Sequence, residues 1–370
     1  MAPNIIFVLL DGSRCDRLHI SEQFKKLCND GILFNNITAA YPYTFSAMNA
    51  MFTGLFGKEN GVDAYYKMFK LKNAIPFLPE ILQKNGYFTA CNLISDKVIS
   101  SRGFHVHTSH DEYTDDLKEK HPSLLKEWYE SAGSKPLFAF LQFSKIHTVT
   151  VSEILKKYDW DDQNYYDNED NNLKNYDQAF IDAVDYATII KNTIQKLGKL
   201  DDTILIFFSD HGTGVGERFG ERNYGVFTYD ETIKTFHLFI GPGIQKNVIC
   251  DKLLSSIELF PTLLQLSEVI SGMGTNPRSF ANYVLGKDNS FQDDEFCFTE
   301  TGGLQGPFPS PKEPNVFSVK TPNYKLIYFK ATDKFEFYNL IDDPKEKNNI
   351  SNTGISFEDE LKIKLLNWIN

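Results

Sequence analysis

The sequence predicts an α/β protein with a mostly parallel central sheet, helices on both faces of that sheet, and a small C-terminal antiparallel subdomain. Three observations carry this expectation. Continuous aliphatic and aromatic runs at 4–10 (NIIFVLL), 137–143 (LFAFLQF) and 203–208 (TILIFF) have the character of strands buried on both faces. Helical periodicity alternates with these strands at the spacing of βαβ units. From residue 295 the pattern changes to short alternating runs (FCFTETG, VFSVKT, YKLIYF, FEFYNL) separated by turn signals and closed by a helix at 357–369. The expected division is 1–290 for the α/β domain and 291–370 for the subdomain.

Taken in order, the first strand stops at Asp11-Gly12, and Ser21 is placed to cap a helix over 21–29. A helix starts near Thr44 and stops at Gly54. Another covers 77–86 with Gly86 as its stop, and a strand follows at 87–93. Apolar Phe180, Ile181, Val184, Ala187, Ile190, Ile194 and Leu197 recur at helical spacing across 175–198. The buried strand 203–208 ends at Ser209-Asp210-His211-Gly212, and a strand at 237–240 is closed by Gly241-Pro242-Gly243. The acidic, Asn-rich stretch 159–176 reads as a solvated loop or as a lid over a pocket.

The 370 residues are 42% hydrophobic and 24% charged, which excludes disordered, collagen-like and coiled-coil chains. A net charge of −11 excludes a basic nucleic-acid footprint and argues against an anionic membrane surface. An anionic substrate then needs a local counter-charge such as a metal ion. Cys15, Cys28, Cys91, Cys250 and Cys297 are scattered without a CxxC, which points to a reducing compartment. The apolar run Ile5–Leu10 is too short for a signal peptide or a membrane span, so the expected location is cytoplasmic. Nothing in the sequence reads out an oligomeric state.

Asp11 and Asp210 stand at strand carboxyl ends, where open α/β sheets place their sites. Asp11 alone is equally a helix cap. Asp210-His211 sets a carboxylate beside an imidazole, a donor pair that suits a hard or borderline divalent cation. Thr44 opens a helix whose free N–H groups favour an anion. It is either an N-cap or a hydroxyl that a metal activates as a nucleophile.

The ordered set of Asp11, PYTFSAMNAMFTG at 42–54, FFSDHGTGVGE at 207–217, YDE at 229–231 and IGPG at 240–243 resembles the sulfatase branch of the alkaline-phosphatase superfamily. NGYFTA at 85–90, IHT at 146–148 and the ending YKLIYF…FEFYNLIDDPKEKNNI extend the resemblance over almost the whole chain. It implies a nucleophile nine residues before Thr53, at Thr44. Sulfatases carry Cys or Ser there, matured to formylglycine within a C/S-x-P-x-R motif; here those positions are Thr44, Ser46 and Met48. Threonine cannot become formylglycine. A threonine at this spacing is similar to nucleotide pyrophosphatase/phosphodiesterases and phosphoethanolamine transferases, which act through a phosphothreonine. The expectation is therefore a metal-dependent hydrolase of phosphate esters, diester or monoester, with a covalent Thr44 intermediate. Three alternatives stand beside it: a sulfuric ester hydrolase lacking formylglycine, a phospho-alcohol transferase acting on a glycan, and a non-catalytic binding protein of sulfatase fold.

The resemblance also implies Asp11, Thr44, Asp210 and His211 as ligands of one divalent metal ion, Mn2+, Zn2+, Ca2+ or Mg2+. Gly12 stands where a second acid is common. Tyr224 stands where relatives place a Lys or His that contacts the substrate or a second metal. His147 holds the place of a histidine that contacts the transferring group or protonates the leaving group; otherwise it is a satisfied polar residue at a strand end. Lys145 supplies positive charge to the site or is a surface lysine. Asn49, on the helix of Thr44, is an oxyanion donor or a helix-packing residue. His105, His107 and His110 read as surface or substrate rim. The implied partner is a small-molecule or glycan-linked phosphate or sulfate ester, with neither nucleic acid nor membrane.

Overall fold

The computed structural model describes residues 2–65, 71–150, 160–269, 278–288, 294–302, 306–307 and 312–370. Nine strands of the described residues form the central sheet: β1 (Asn4–Leu10), β2 (Gly31–Thr38), β3 (Phe88–Leu93), β4 (Val106–Ser109), β5 (Leu137–Phe143), β6 (Thr203–Phe208), β7 (Lys234–Ile240), β8 (Val248–Cys250) and β9 (Leu254–Ser255). Their spatial order is β4-β3-β5-β1-β6-β7-β2-β8, with β9 also on β2. Only β7 runs antiparallel to its neighbours β6 and β2.

The central strand β1 shows why its sequence does not alternate. Ile6, Val8 and Leu10 pack with Leu125, Trp128, Phe180 and Val184 on one face; Ile5, Phe7 and Leu9 pack with Met48, Met51, Phe52 and Leu263 on the other. Every residue of the strand is buried. Burying such a side chain stabilises by roughly 1.5–3 kcal/mol, so a strand covered on both sides is apolar throughout. Phe7 also stacks on Phe208 at 3.8 Å, locking β1 to β6 beside the two carboxylates that follow these strands.

The fold class is the expected one. One expectation fails: the described part of 159–176 is helical, not a solvated loop. Helices occupy Gln163–Tyr166 and Glu169–Lys196. Asp162 caps the first by accepting from Asn164 N at 3.2 Å. Glu169 and Asp170 sit in the first turn of the second, where the helix dipole favours acids. The polar residues are used inward. Tyr165 Oη donates to Gly214 O at 2.8 Å, Asn172 Nδ2 to Val215 O at 2.9 Å, and Tyr176 Oη to Gly12 O at 3.0 Å. Residue 159 lies outside the described residues.

The C-terminal sheet is antiparallel: β10 (Cys297–Thr301), β11 (Val316–Lys320), β12 (Tyr324–Phe329) and β13 (Lys334–Asn339). Leu361 and Leu365 of the helix Ser356–Ile369 cover Phe317, Val319, Leu326 and Phe337 on one face. The opposite face packs Val316, Ile327 and Phe329 onto Val226, Phe227 and Tyr229. A buried ionic cluster crosses this contact: Asp230 meets Lys320 at 2.7 Å and Lys325 at 3.0 Å, and Lys325 meets Glu346 at 2.8 Å. Burial raises the Asp230 carboxyl, but the ammonium groups of Lys320, Lys325 and Lys234 outweigh it and hold the group well below the usual carboxylate range. The boundary expected between 290 and 291 falls outside the described residues. Among the described residues no helix is long and apolar enough to cross a membrane.

Candidate active site

Parallel pairing of β1 with both β5 and β6 brings three strand ends to one edge of the sheet. Asp11 follows β1, with its N–H on Phe143 O at 3.1 Å, and is 2% exposed. Its Oδ2 accepts from Gln142 Nε2 at 2.6 Å, so a polar residue in the otherwise apolar β5 turns out to orient a site carboxylate. Asp210 follows β6 and is fully buried. Its Oδ1 accepts from Gly12 N at 3.4 Å and His211 N at 3.0 Å, while Oδ2 makes no hydrogen bond of standard geometry. Burial, opposed by His211 and helped by the Asp11 charge, pushes the Asp210 carboxyl up to about 6.

His211 donates from Nδ1 to Gly212 O at 2.7 Å. That bond commits the proton to Nδ1 and leaves the Nε2 lone pair facing the carboxylates. Nε2 lies 3.5 Å from Asp210 Oδ2 and 3.7 Å from Asp11 Oδ1. Thr44 is the first residue of the helix Thr44–Thr53, after an extended Tyr43. It is therefore not the N-cap, and its hydroxyl is directed to the cluster: Oγ1 is 3.2 Å from His211 Nε2 and 3.4 Å from Asp11 Oδ1.

Among the described residues, Asp11, Asp210 and His211 are the one group of at least three potential ligands whose donor atoms lie within 4.8 Å of one another. Two carboxylates and one imidazole nitrogen suit a divalent cation, and the orphaned Asp210 Oδ2 is a buried anionic atom that such an ion would satisfy. The residues present therefore fit a metal.

Gly12 stands where a second acid is common, and the geometry accounts for it. Its φ is +71°, and a Cβ there would stand 2.8 Å from Thr213 Oγ1, which donates to Gly12 O. A side chain at this position is strained by the left-handed backbone and displaces the Thr213 hydroxyl.

Tyr224 lies over the cluster, its ring 4.5 Å from that of His211 and 5.9 Å from that of His147. His147 is on the short helix Lys145–Val149 after β5, with Nδ1 3.0 Å from Glu112 Oε2. Lys145 is not brought to the cluster. Its Nζ is taken up by the main chain of Glu112, donating to Glu112 O at 2.6 Å. With Val149, Asn175, Gln178 and Asp182 it lines a separate cavity of about 360 Å³. Asn49 belongs to packing: its Nδ2 donates to Phe45 O at 2.7 Å and to Val98 O at 3.5 Å. His110 is buried between Asn92 and Ser144, so it is not a rim residue. Glu112 and Gln142 are the two polar partners that sequence reasoning missed. The lone Gln in LFAFLQF was a legible signal; Glu112 had none.

Comparison with known proteins places this geometry in a family. Residues 3–269 match the model of the family described as Sulfatase, and residues 221–368 match the one described as N-sulphoglucosamine sulphohydrolase, C-terminal. Mouse arylsulfatase K is 24% identical over 180 residues, covering 48% of this chain and 32% of that protein. The chain spans about a tenth to a third of the length of the curated relatives it matches. Among solved structures, a 2-O GAG sulfatase superposes with a TM-score of 0.80 at 17% identity, covering 100% of this chain and 92% of that one. A second, solved in complex with its substrate D-glucosamine-2-N,6-O-disulfate, gives 0.72 at 17% identity, covering 100% and 97%. The phosphate-ester expectation rested on threonine at the nucleophile position. The sulfatase family models and the sulfatase relatives overturn it.

Proposed function

The chain belongs to the sulfatase family, and from that premise we propose that its site hydrolyses a sulfuric ester carried on a glycan. The carrying observation is the cluster itself: Thr44 Oγ1 at a helix N-terminus, facing Asp11, His211 and the orphaned Asp210 Oδ2. Charge favours a sulfate ester over a phosphate monoester. Two carboxylates and a divalent cation sum to zero, and a sulfate ester brings one negative charge where a phosphate monoester brings two. Lys145 is held by Glu112 O, and Arg14 pairs with Asp16 and Glu217, so neither is directed to the cluster. The aminosugar disulfate bound by the solved relative supports the glycan class.

Asp11, Asp210 and His211 would hold the ion, which when bound neutralises sulfate oxygens and makes the Thr44 hydroxyl more acidic. Thr44 Oγ1 attacks sulfur and passes its proton to Asp11. The ester S–O bond breaks, and the departing alcohol oxygen takes a proton from His147. Water then attacks the sulfur of the threonine sulfate, giving up a proton to His147. The released Thr44 oxygen recovers its proton from Asp11, and hydrogen sulfate leaves.

The test is release of inorganic sulfate from a sulfated aminosugar by metal-loaded and chelator-stripped protein. Release that chelation abolishes and a divalent ion restores is the expected result. Release indifferent to chelation, or none from any sulfated aminosugar, contradicts the reading.

A further inference from the structure

Glu112 lies in the loop between β4 and the helix Leu117–Ala132, far in sequence from the strand ends that build the cluster. Three residues of the helix Lys145–Val149 converge on it. His147 Nδ1 donates to Oε2 at 3.0 Å, Thr148 Oγ1 donates to the same oxygen at 3.2 Å, and Lys145 Nζ donates to the main-chain carbonyl at 2.6 Å. The loop is itself fixed. Asp111 Oδ1 accepts from Tyr113 N at 2.8 Å and Thr114 N at 2.9 Å; Asp115 Oδ2 accepts from Asp111 N at 2.8 Å and Lys120 Nζ at 2.7 Å. Behind it the His110 ring bridges Asn92 Oδ1, at 2.8 Å, and Ser144 Oγ, at 3.0 Å, and Ser144 immediately precedes Lys145. One buried polar network thus anchors both partners of the Glu112–His147 pair.

Four titratable side chains act on or face the His147 ring: Glu112 from the β4 loop, Asp11 after β1, Asp210 after β6, and Tyr224. Burial lowers the basicity of His147, but the Glu112 hydrogen bond and the three carboxylate charges outweigh it, and the ring is raised above its ordinary value. An imidazole whose Nδ1–H is held by a carboxylate keeps Nε2 for chemistry.

We infer that Glu112 is a positioning residue for His147: it holds the proton on Nδ1 and so reserves Nε2 for the leaving alcohol. This rests on the sulfate-ester reading. As the S–O bond breaks, the proton on Nε2 of the imidazolium moves to the alcohol oxygen. The ring is left neutral with its remaining proton on Nδ1, still bonded to Glu112. Attack by water in the second half-reaction returns a proton to Nε2.

A proton delivered to the leaving group matters most when that group is poor. Glu112→Ala is expected to lower kcat on a sugar sulfate about 100-fold with KM within about twofold, and to lower kcat on 4-nitrophenyl sulfate at least about tenfold less. Glu112→Gln, whose amide can donate to Nδ1 and hold the opposite tautomer, should recover little of the loss. Equal losses on both esters, or losses confined to KM, overturn the inference. A second readout needs no turnover. Nitrogen NMR of the wild-type protein, at a pH where the ring is neutral, should find the His147 proton on Nδ1, and on Nε2 in Glu112→Ala. A wild-type proton on Nε2 overturns the positioning role. The expected tautomer in a protein that turns over no sulfate ester upholds Glu112 and contradicts the proposed function alone.

Discussion

Thr44→Ala is expected to lower kcat for a sulfated sugar by at least about 10³-fold while the fold stays intact. The Thr44 hydroxyl has as its hydrogen-bond partners Asp11 Oδ1 and His211 Nε2, both in the cluster. It caps no backbone group, and alanine is the best helix former, so the helix loses nothing by the change. The unfolding midpoint should move by less than about 2 °C, and metal stoichiometry should be retained. Steady-state kinetics beside a thermal melt check both halves. A variant that folds, binds metal and keeps its turnover would remove Thr44 from the reaction.

Asp210→Asn should have the opposite profile, altering metal response more than fold. In the metal-free protein Asp210 is a buried carboxylate with one oxygen making no hydrogen bond of standard geometry and the Asp11 carboxylate nearby. Such a group is costly unless a cation satisfies it. The amide removes the charge, so the chelated variant should be at least as stable as the chelated wild type. Metal at 100 times its dissociation constant should stabilise the wild type by about 2.7 kcal/mol. The same concentration should stabilise the variant by less than about half of that, since one of three ligands is gone. Thermal melts across a metal titration measure this directly. Equal metal-induced shifts in the two proteins would show that Asp210 is not a ligand.

The legible parts of this fold were those where burial on two faces leaves one reading. β1, β5 and β6 occupy the residues expected of them, because a fully covered strand can be nothing but apolar. The helix Thr44–Thr53 was legible from its ends, Gly54 closing it in the left-handed conformation at φ 68°. β2 was not, since Asn35 and Asn36 interrupt GILFNNIT and the pairing with β7 shifts register between Phe34 and Ile37. The helical stretch from 163 was hidden by Asp and Asn residues, whose side chains cap, bond backward and reach the loop behind Gly12. Of the site, Asp11, Thr44, Asp210 and His211 were readable because each opens or closes an element. Lys145 was misdirected because nothing in a short helix's sequence says which face meets the cluster. Glu112 was invisible because its partnership with His147 crosses 35 residues and is made by a loop.

The most direct measurement compares kcat/KM for a sulfate and a phosphate monoester at the same hydroxyl of one aminosugar, on the metal-loaded protein. Sulfate is expected to be preferred by at least about 100-fold, or about 2.7 kcal/mol in transition-state free energy. The sulfate ester brings one negative charge to the two carboxylates of the cluster and the phosphate monoester brings two. A phosphate ester turned over as fast as its sulfate twin, or neither ester turned over, would contradict this expectation.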